Sequence, residues 1–224
     1  MKVWDIYTRL WHGLLVFAIF FQWLSGEVLD DQMQNHALMG YTLLGMMIFR
    51  IYWGLIGPEA IRFTCFVPSW TILVGYVTKS NKAIFVSHNP LGALAVLAFI
   101  VLITLQAASG FFMEDEIFFT GPLYNWLSES ATSLIAELHE IAFTGILLLI
   151  AIHIVAVIYH RFKHEPYIVK AMVTGDKPLT NPFKSLPAVQ LHLRAWLCIA
   201  VSIITVWVLV NHLPSWLGIE ADFY

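Results

Sequence analysis

A chain of 224 residues that is 59% hydrophobic and 12% charged differs sharply from soluble domains, which carry about 45–50% apolar and about 25% charged residues. An ordinary soluble protein is excluded. The charges fall between long apolar runs, the arrangement of several membrane-spanning helices, so the fold class expected is an all-α, polytopic membrane helix bundle. The net charge of −3 decides little, because in a membrane protein the side of the bilayer each charge occupies is what matters. Cys65 and Cys198 cannot build a disulfide framework, and neither sits in a C-x-x-C-H motif. The start Met-Lys-Val-Trp-Asp lacks the features of a removable signal peptide, so the first apolar run is expected to stay in the mature chain.

Crossing about 30 Å of hydrocarbon takes about 20 apolar residues, and five stretches qualify. They lie at about residues 10–29, 35–56, 90–113, 138–160 and 195–213. Ser87-His88-Asn89-Pro90 predicts the start of the third span, with cap residues before a first-turn proline, and Pro214 the end of the fifth. A sixth apolar stretch, about residues 63–78, is short and contains Pro68; it reads as interfacial.

Five spans put all 12 basic residues on one side: Lys2, Arg9, Arg50, Arg62, Lys79, Lys82, Arg161, Lys163, Lys170, Lys177, Lys184 and Arg194. The positive-inside rule makes that side cytoplasmic. The N-terminus is then expected inside, the C-terminus periplasmic, and the protein in a bacterial inner membrane in contact with lipid. Of the 15 acids, 11 face outward: Glu27, Asp30, Asp31, Glu114, Asp115, Glu116, Glu129, Glu137, Glu140, Glu220 and Asp222. Two parts are expected, a four-helix core over residues 1–178 and, over 179–224, a cytoplasmic connector with a fifth transmembrane helix and short outer tail. No internal repeat is evident.

Nine histidines are many for so apolar a chain, and intramembrane ionisable residues tend to mark function. His139 and His153 share the fourth span; fourteen residues separate them by about 21 Å along the axis and about 40° around it, so both face one side. His12 opens the first span near the inner surface, and His36 opens the second near the outer. The depths match in pairs, His12 with His153 and His36 with His139. Two histidines from different helices at equal depth are what bis-His ligation of a b-type heme requires. Gly13, Gly40 and Gly145 supply small residues where a flat macrocycle approaches backbone, and Trp11, Phe17, Trp23, Trp53 and Phe143 are candidates to pack its faces. The competing reading is that the histidines bond between helices and the aromatics face lipid or core. His160, His164, His192 and His212 read as surface or interfacial residues. His88 is either a helix-start residue or a partner near the inner pair, and Cys198 a small lipid- or bundle-facing residue.

Over about residues 4–178 the chain resembles the prokaryotic cytochrome b561 family, which includes the b-type subunits of nickel-iron hydrogenases and formate dehydrogenases. The resemblance rests on Asp5-Ile-Tyr-Thr-Arg-Leu-Trp-His12, His36-Ala-Leu-Met-Gly-Tyr41, Arg50-Ile-Tyr-Trp-Gly-Leu-Ile-Gly57 and Ser87-His-Asn-Pro-Leu-Gly-Ala93. Leu105-Gln-Ala-Ala-Ser-Gly-Phe-Phe112, Gly121-Pro-Leu123, His139 with His153, and Ala171-Met-Val-Thr-Gly-Asp-Lys177 complete it. It implies two heme b groups, the inner held by His12 and His153 and the outer by His36 and His139. For Arg50 and Arg62 it implies pairing with heme propionates, against which stands exposed, snorkelling placement. The chain departs from the family pattern at Gly13, where a tryptophan often follows the first ligand, and in its fifth span.

The function expected is electron transfer between the quinone pool and a periplasmic partner such as a c-type cytochrome or other heme protein, possible work for a quinol-linked oxidoreductase component. The alternatives are a membrane anchor and electron-transfer subunit of a nickel-iron hydrogenase or formate dehydrogenase, and a superoxide:quinone oxidoreductase. From a different class, a His-lined ion or proton transporter calls for intramembrane carboxylates, of which the spans have almost none. No residue constellation marks a quinone pocket, and the resemblance implies one near the inner heme.

Overall fold

The computed structural model describes residues 2–80, 85–115, 119–178, 183 and 186–219. Among them the secondary structure is helical, with no β-strand beyond isolated bridges, and the chain is an all-α membrane helix bundle. Long helices occupy all five expected spans: α1 (Ile6–Glu27), α2 (Met33–Ile56), α5 (Pro90–Ser109), α6 (Glu129–Lys163) and α8 (Ala188–Asn211). Short helices lie between or after them: α3 (Phe63–Phe66), α4 (Trp70–Val77), α7 (Ile168–Thr174) and α9 (Leu213–Trp216). The last four long helices are long and apolar enough to cross a membrane. At 22 residues α1 also has the length, about 33 Å, but His12, Gln22 and Glu27 dilute its apolarity.

The boundaries differ from expectation where polar residues continue a helix beyond its apolar stretch. With 35 residues, α6 is about 52 Å long, more than the roughly 40–45 Å of a bilayer with its headgroups. It starts at Glu129, well before the expected 138, because Glu129, Glu137 and Glu140 end a charge-free stretch without ending a helix. The first backbone bonds of this end run from Ala131 and Thr132 N–H to the Ser128 carbonyl. The stretch at 63–78 is divided by Pro68 into α3 and α4, of 4 and 8 residues, each too short to span. Lys82, Glu116, Lys184, Glu220 and Asp222, counted in the charge pattern, lie outside the described residues.

Local chemistry fixes the helix ends. Asp5 caps α1, its carboxylate accepting from Tyr7 N–H at 2.9 Å and Thr8 N–H at 3.1 Å, an arrangement worth about 1 kcal/mol. Asn89 caps α5 by accepting from Gly92 N–H at 2.8 Å, with Pro90 in the first turn as the sequence predicts. α7 ends at Gly175, whose φ of 86° is left-handed. A Cβ there would lie 2.6 Å from the Trp4 carbonyl oxygen, so both conformation and space require glycine.

Contacts gather the chain into two compact units. The first comprises Met1–His12, Arg50–Ile100 and Leu148–Cys198. Its centre is Trp53, wholly buried, whose indole N–H donates to Thr8 Oγ1 at 3.2 Å. The Gly175 carbonyl accepts from Val3 N–H at 2.8 Å, and Lys177 pairs with Glu165 at 2.8 Å. The Arg194 guanidinium donates to the Ile56 carbonyl at 2.8 Å, and Tyr7 shares a 2.7 Å hydrogen bond with His192.

The second unit comprises Gly13–Phe49, Val101–Leu147 and Ile199–Tyr224. Leu44, Ala107, Phe111 and Leu123 form a buried cluster, against which Tyr41 and, from α8, Val206, Leu209 and Val210 pack. The chain folds back after α5: Gly121 N–H donates to the Met113 carbonyl and Leu123 N–H to that of Phe111, both at 2.8 Å. A Cβ on Gly121 would lie 2.5 Å from the Phe111 oxygen. Along α6 and α8 large apolar side chains such as Leu148, Ile152, Val155, Trp196, Ile203 and Trp207 are exposed, the surface expected of helices solvated by lipid.

Candidate functional site

In the second unit, α2 and α6 bring His36 and His139 to one cavity of about 560 Å³, whose lining includes Gln22, Gly40, Gln106, Gly110 and Phe143. The volume lies within the roughly 300–1,000 Å³ typical of small-molecule and cofactor sites. The two imidazoles are within electrostatic range of each other. Each is held at Nδ1 by a serine of another helix: His36 by Ser25 Oγ of α1 at 3.2 Å, and His139 by Ser109 Oγ of α5 at 2.7 Å. Neither Nε2 has a hydrogen-bond partner among the described residues.

Glycine makes room for this arrangement. A Cβ on Gly26 would lie 2.9 Å from His36 Cε1 and 3.1 Å from Nδ1, but 3.9 Å from Nε2, so the Cε1–Nδ1 edge rests on α1 and Nε2 turns away. Gly110 stands likewise beside His139, 3.9 Å from Cε1 by the same measure. With its amide oriented to satisfy both ends, Gln22 donates to the His36 carbonyl at 2.9 Å and accepts from Gly40 N–H at 3.2 Å. A Cβ on Gly40 would lie 3.3 Å from the Gln22 amide atom that faces it, the oxygen in this orientation, so Gly40 both lines the cavity and admits this bridge.

In the first unit, His12 of α1 and His153 of α6 lie within electrostatic range of each other, and the Phe99 ring meets His153 edge-on at 5.7 Å. Arg50 is only 4% exposed, which removes the snorkelling reading for that residue. Its guanidinium lies 6.0, 5.2 and 5.8 Å from the ring centres of Trp11, Phe63 and Phe66, and Nη1 is buried with no partner among the described residues. Arg62 instead donates through Nε to the Gly57 carbonyl at 2.7 Å, just beyond the C-terminus of α2.

The remaining sequence candidates divide. Phe143 lines the cavity and Trp11 faces Arg50, but Phe17 and Trp23 are exposed, and Trp53 anchors α1 to α2. Among the described residues no side chain meets Gly13 within 4 Å of an added Cβ, and only Leu102 approaches that of Gly145, at 3.8 Å. His88 packs against Trp4 and Phe66, at 4.9 and 4.5 Å between ring centres. Burial, with Arg50 and Lys177 adding repulsion, pushes its pKa down to about 3. His160 contacts Asn89 and His164, His192 is bonded to Tyr7, His212 sits between Trp207 and Trp216, and Cys198 is buried.

Sequence reasoning missed Ser25, Gly26 and Ser109, although a signal was present. Gln22-Trp-Leu-Ser25-Gly26 and Gln106-Ala-Ala-Ser109-Gly110 share one short pattern, Gln-x-x-Ser-Gly.

Among the described residues no three or more His, Cys, Asp or Glu side chains gather to hold a metal ion. The model of the prokaryotic cytochrome b561 family matches residues 3–175, and the chain belongs to that family. It is therefore a membrane cytochrome b of electron transport, with heme b as its prosthetic group.

Two curated relatives are similar. A probable Ni/Fe-hydrogenase B-type cytochrome subunit of Rhizobium leguminosarum bv. viciae is 23% identical over 210 residues, covering 78% of this chain and 87% of the relative. A protein described in the same words from Azotobacter chroococcum mcd 1 is 24% identical over 146 residues, covering 51% and 59%. No solved structure gives a significant match.

Proposed function

We propose that the protein holds two heme b groups and carries electrons between the quinone pool and a redox partner at the outer face of a bacterial inner membrane. His36 and His139 hold the outer heme, His12 and His153 the inner. The observation that carries this reading is the convergence of His36 and His139, from two helices, on one cavity with neither Nε2 bonded among the described residues. The donor set fits the group: two imidazoles lining one cavity, glycine beside the His36 ring, and for the inner group a buried Arg50 Nη1 without a partner among the described residues, suited to a propionate.

Heme iron supplies one-electron redox chemistry when bound, and the protein sets its potential through axial ligands, nearby hydrogen bonds and burial. Within that scheme the imidazoles would hold each group, Phe99 and Phe143 would exclude water, and Arg50 would neutralise negative charge. The orientation, with His36 and His139 outward, rests on the bias of Lys and Arg to one side.

The partner proposed from the sequence is a periplasmic c-type cytochrome or other heme protein. A second reading, a hydrogenase as the partner, is favoured by the names of both relatives. An optical spectrum of detergent-purified protein from heme-replete cells, with a heme-to-protein ratio, tests the proposal. Two low-spin hemes per chain are expected, and a colourless preparation overturns it.

A further inference from the structure

Each serine of the two Gln-x-x-Ser-Gly segments has one hydroxyl proton and more than one claimant for it. Ser25 Oγ lies 2.8 Å from the Phe21 carbonyl oxygen, 3.3 Å from that of Gln22 and 3.2 Å from His36 Nδ1. Ser109 Oγ lies 2.8 Å from the Gln106 carbonyl oxygen and 2.7 Å from His139 Nδ1. A carbonyl oxygen cannot donate, and two oxygens 2.8 Å apart without a proton between them repel. The hydroxyl proton therefore belongs to the carbonyl, and the serine must accept from the imidazole. That assigns the proton of each neutral ring to Nδ1 and leaves the lone pair on Nε2.

We propose that Ser25 and Ser109 are a matched pair of positioning residues that lock His36 and His139 in the Nδ1–H tautomer, presenting both Nε2 lone pairs to one heme iron. The inference rests on the bis-His reading of this cavity and goes beyond it in naming what sets the ligands' tautomer and donor strength. The serines stand on α1 and α5, the ligands on α2 and α6, so each ring is fixed by a helix other than its own. Gly26, one residue on from Ser25, leaves the space in which the His36 ring lies, and Gly110, one residue on from Ser109, stands at ordinary contact distance from His139. An Nδ1–H bonded to an acceptor makes the imidazole a stronger donor, which favours ferric over ferrous iron and holds the potential of this heme down.

The test uses the full-length protein, purified in detergent from heme-replete cells, as wild type, S25A, S109A, S25T and S109T. Heme content, redox titration and low-temperature electron paramagnetic resonance are read for each. Both alanine variants are expected to move the same one of two components to a more positive potential, alter its low-spin signal, and weaken retention of that heme about tenfold or more. Threonine keeps a hydroxyl that bonds the carbonyl one turn back, so S25T and S109T should restore the wild-type potential.

Alanine variants with wild-type potentials and signals overturn the inference, as does an equal shift of both components. Wild-type protein without heme overturns the bis-His reading and this inference with it. Heme-replete wild type with inert alanine variants overturns this inference alone.

Discussion

The guanidinium of Arg50 lies 5.2 Å from the centre of the Phe63 ring, with its Nη1 buried and partnerless among the described residues. A cation held among aromatic rings is costly to bury unless something negative completes it. The Asp5 carboxylate acts on this guanidinium from a distance, and a propionate of the inner heme is the group that meets Nη1 in our account. Replacing Arg50 by Met, which keeps the bulk and removes the charge, should move one heme potential negative and leave the other in place, because a nearby cation favours the reduced form. Arg62 instead bonds the Gly57 carbonyl just beyond the end of α2, so R62M should cost about 1–2 kcal/mol of stability and shift neither potential. Redox titration of both variants checks the contrast.

Gly54 controls the same contact. A Cβ there would come within 2.3 Å of the Phe63 ring, far inside contact distance, although alanine has the better helix propensity by about 1 kcal/mol. G54A should therefore lower the melting temperature rather than raise it, and by displacing Phe63 should perturb the same component as R50M. Thermal denaturation alongside a redox titration reads both effects.

His88 gives the structure an acid sensitivity of defined sign. Its folded pKa, about 3, lies below the ordinary 6.5, so between those values the unfolded chain binds the extra proton. Stability from this group is complete above pH about 6.5 and is lost as pH falls toward 3. The H88Q variant has no proton to gain there, so its melting temperature between pH 7 and pH 5 should fall less than that of wild type. An identical pH dependence in the two proteins would contradict the assignment.

Glu27, Glu114, Glu137 and Glu140 line the cavity that holds His36 and His139, and Tyr124 OH bonds to Glu114. If this acidic face docks a soluble partner with a basic patch, charge should raise the association rate more than the affinity. With a Debye length of about 8 Å at physiological salt, the rate should fall as salt rises. Heme reoxidation by basic c-type cytochromes, followed across ionic strength, is expected to slow in E137Q/E140Q and to lose part of its salt dependence. A salt-insensitive rate, unchanged by the substitutions, would favour a stably anchored partner such as a hydrogenase.

What the sequence made legible follows from local rules. Pro90 after Asn89 marks the start of α5, Pro68 divides an apolar stretch that would otherwise count as a span, and helical geometry puts His139 and His153 on one side. The upper end of α6 escaped because apolar windows report hydrocarbon thickness, whereas the helix continues through Glu129 into polar surroundings. Ser25 and Ser109 escaped for another reason. Their shared Gln-x-x-Ser-Gly pattern acquires a meaning only when the fold sets an imidazole 2.7 or 3.2 Å from each serine, and His139 is 30 residues from its serine. Trp53 was legible as important but not in role: Asp5 and Thr8, which it meets, lie 48 and 45 residues earlier.

The pairing of histidines is the central claim, and potentiometric titration of four single variants tests it most directly. H36A and H139A should each lose the same component and retain the other at its wild-type potential, while H12A and H153A lose the component that the first two retain. Loss of the same component from H12A and H36A would contradict the pairing.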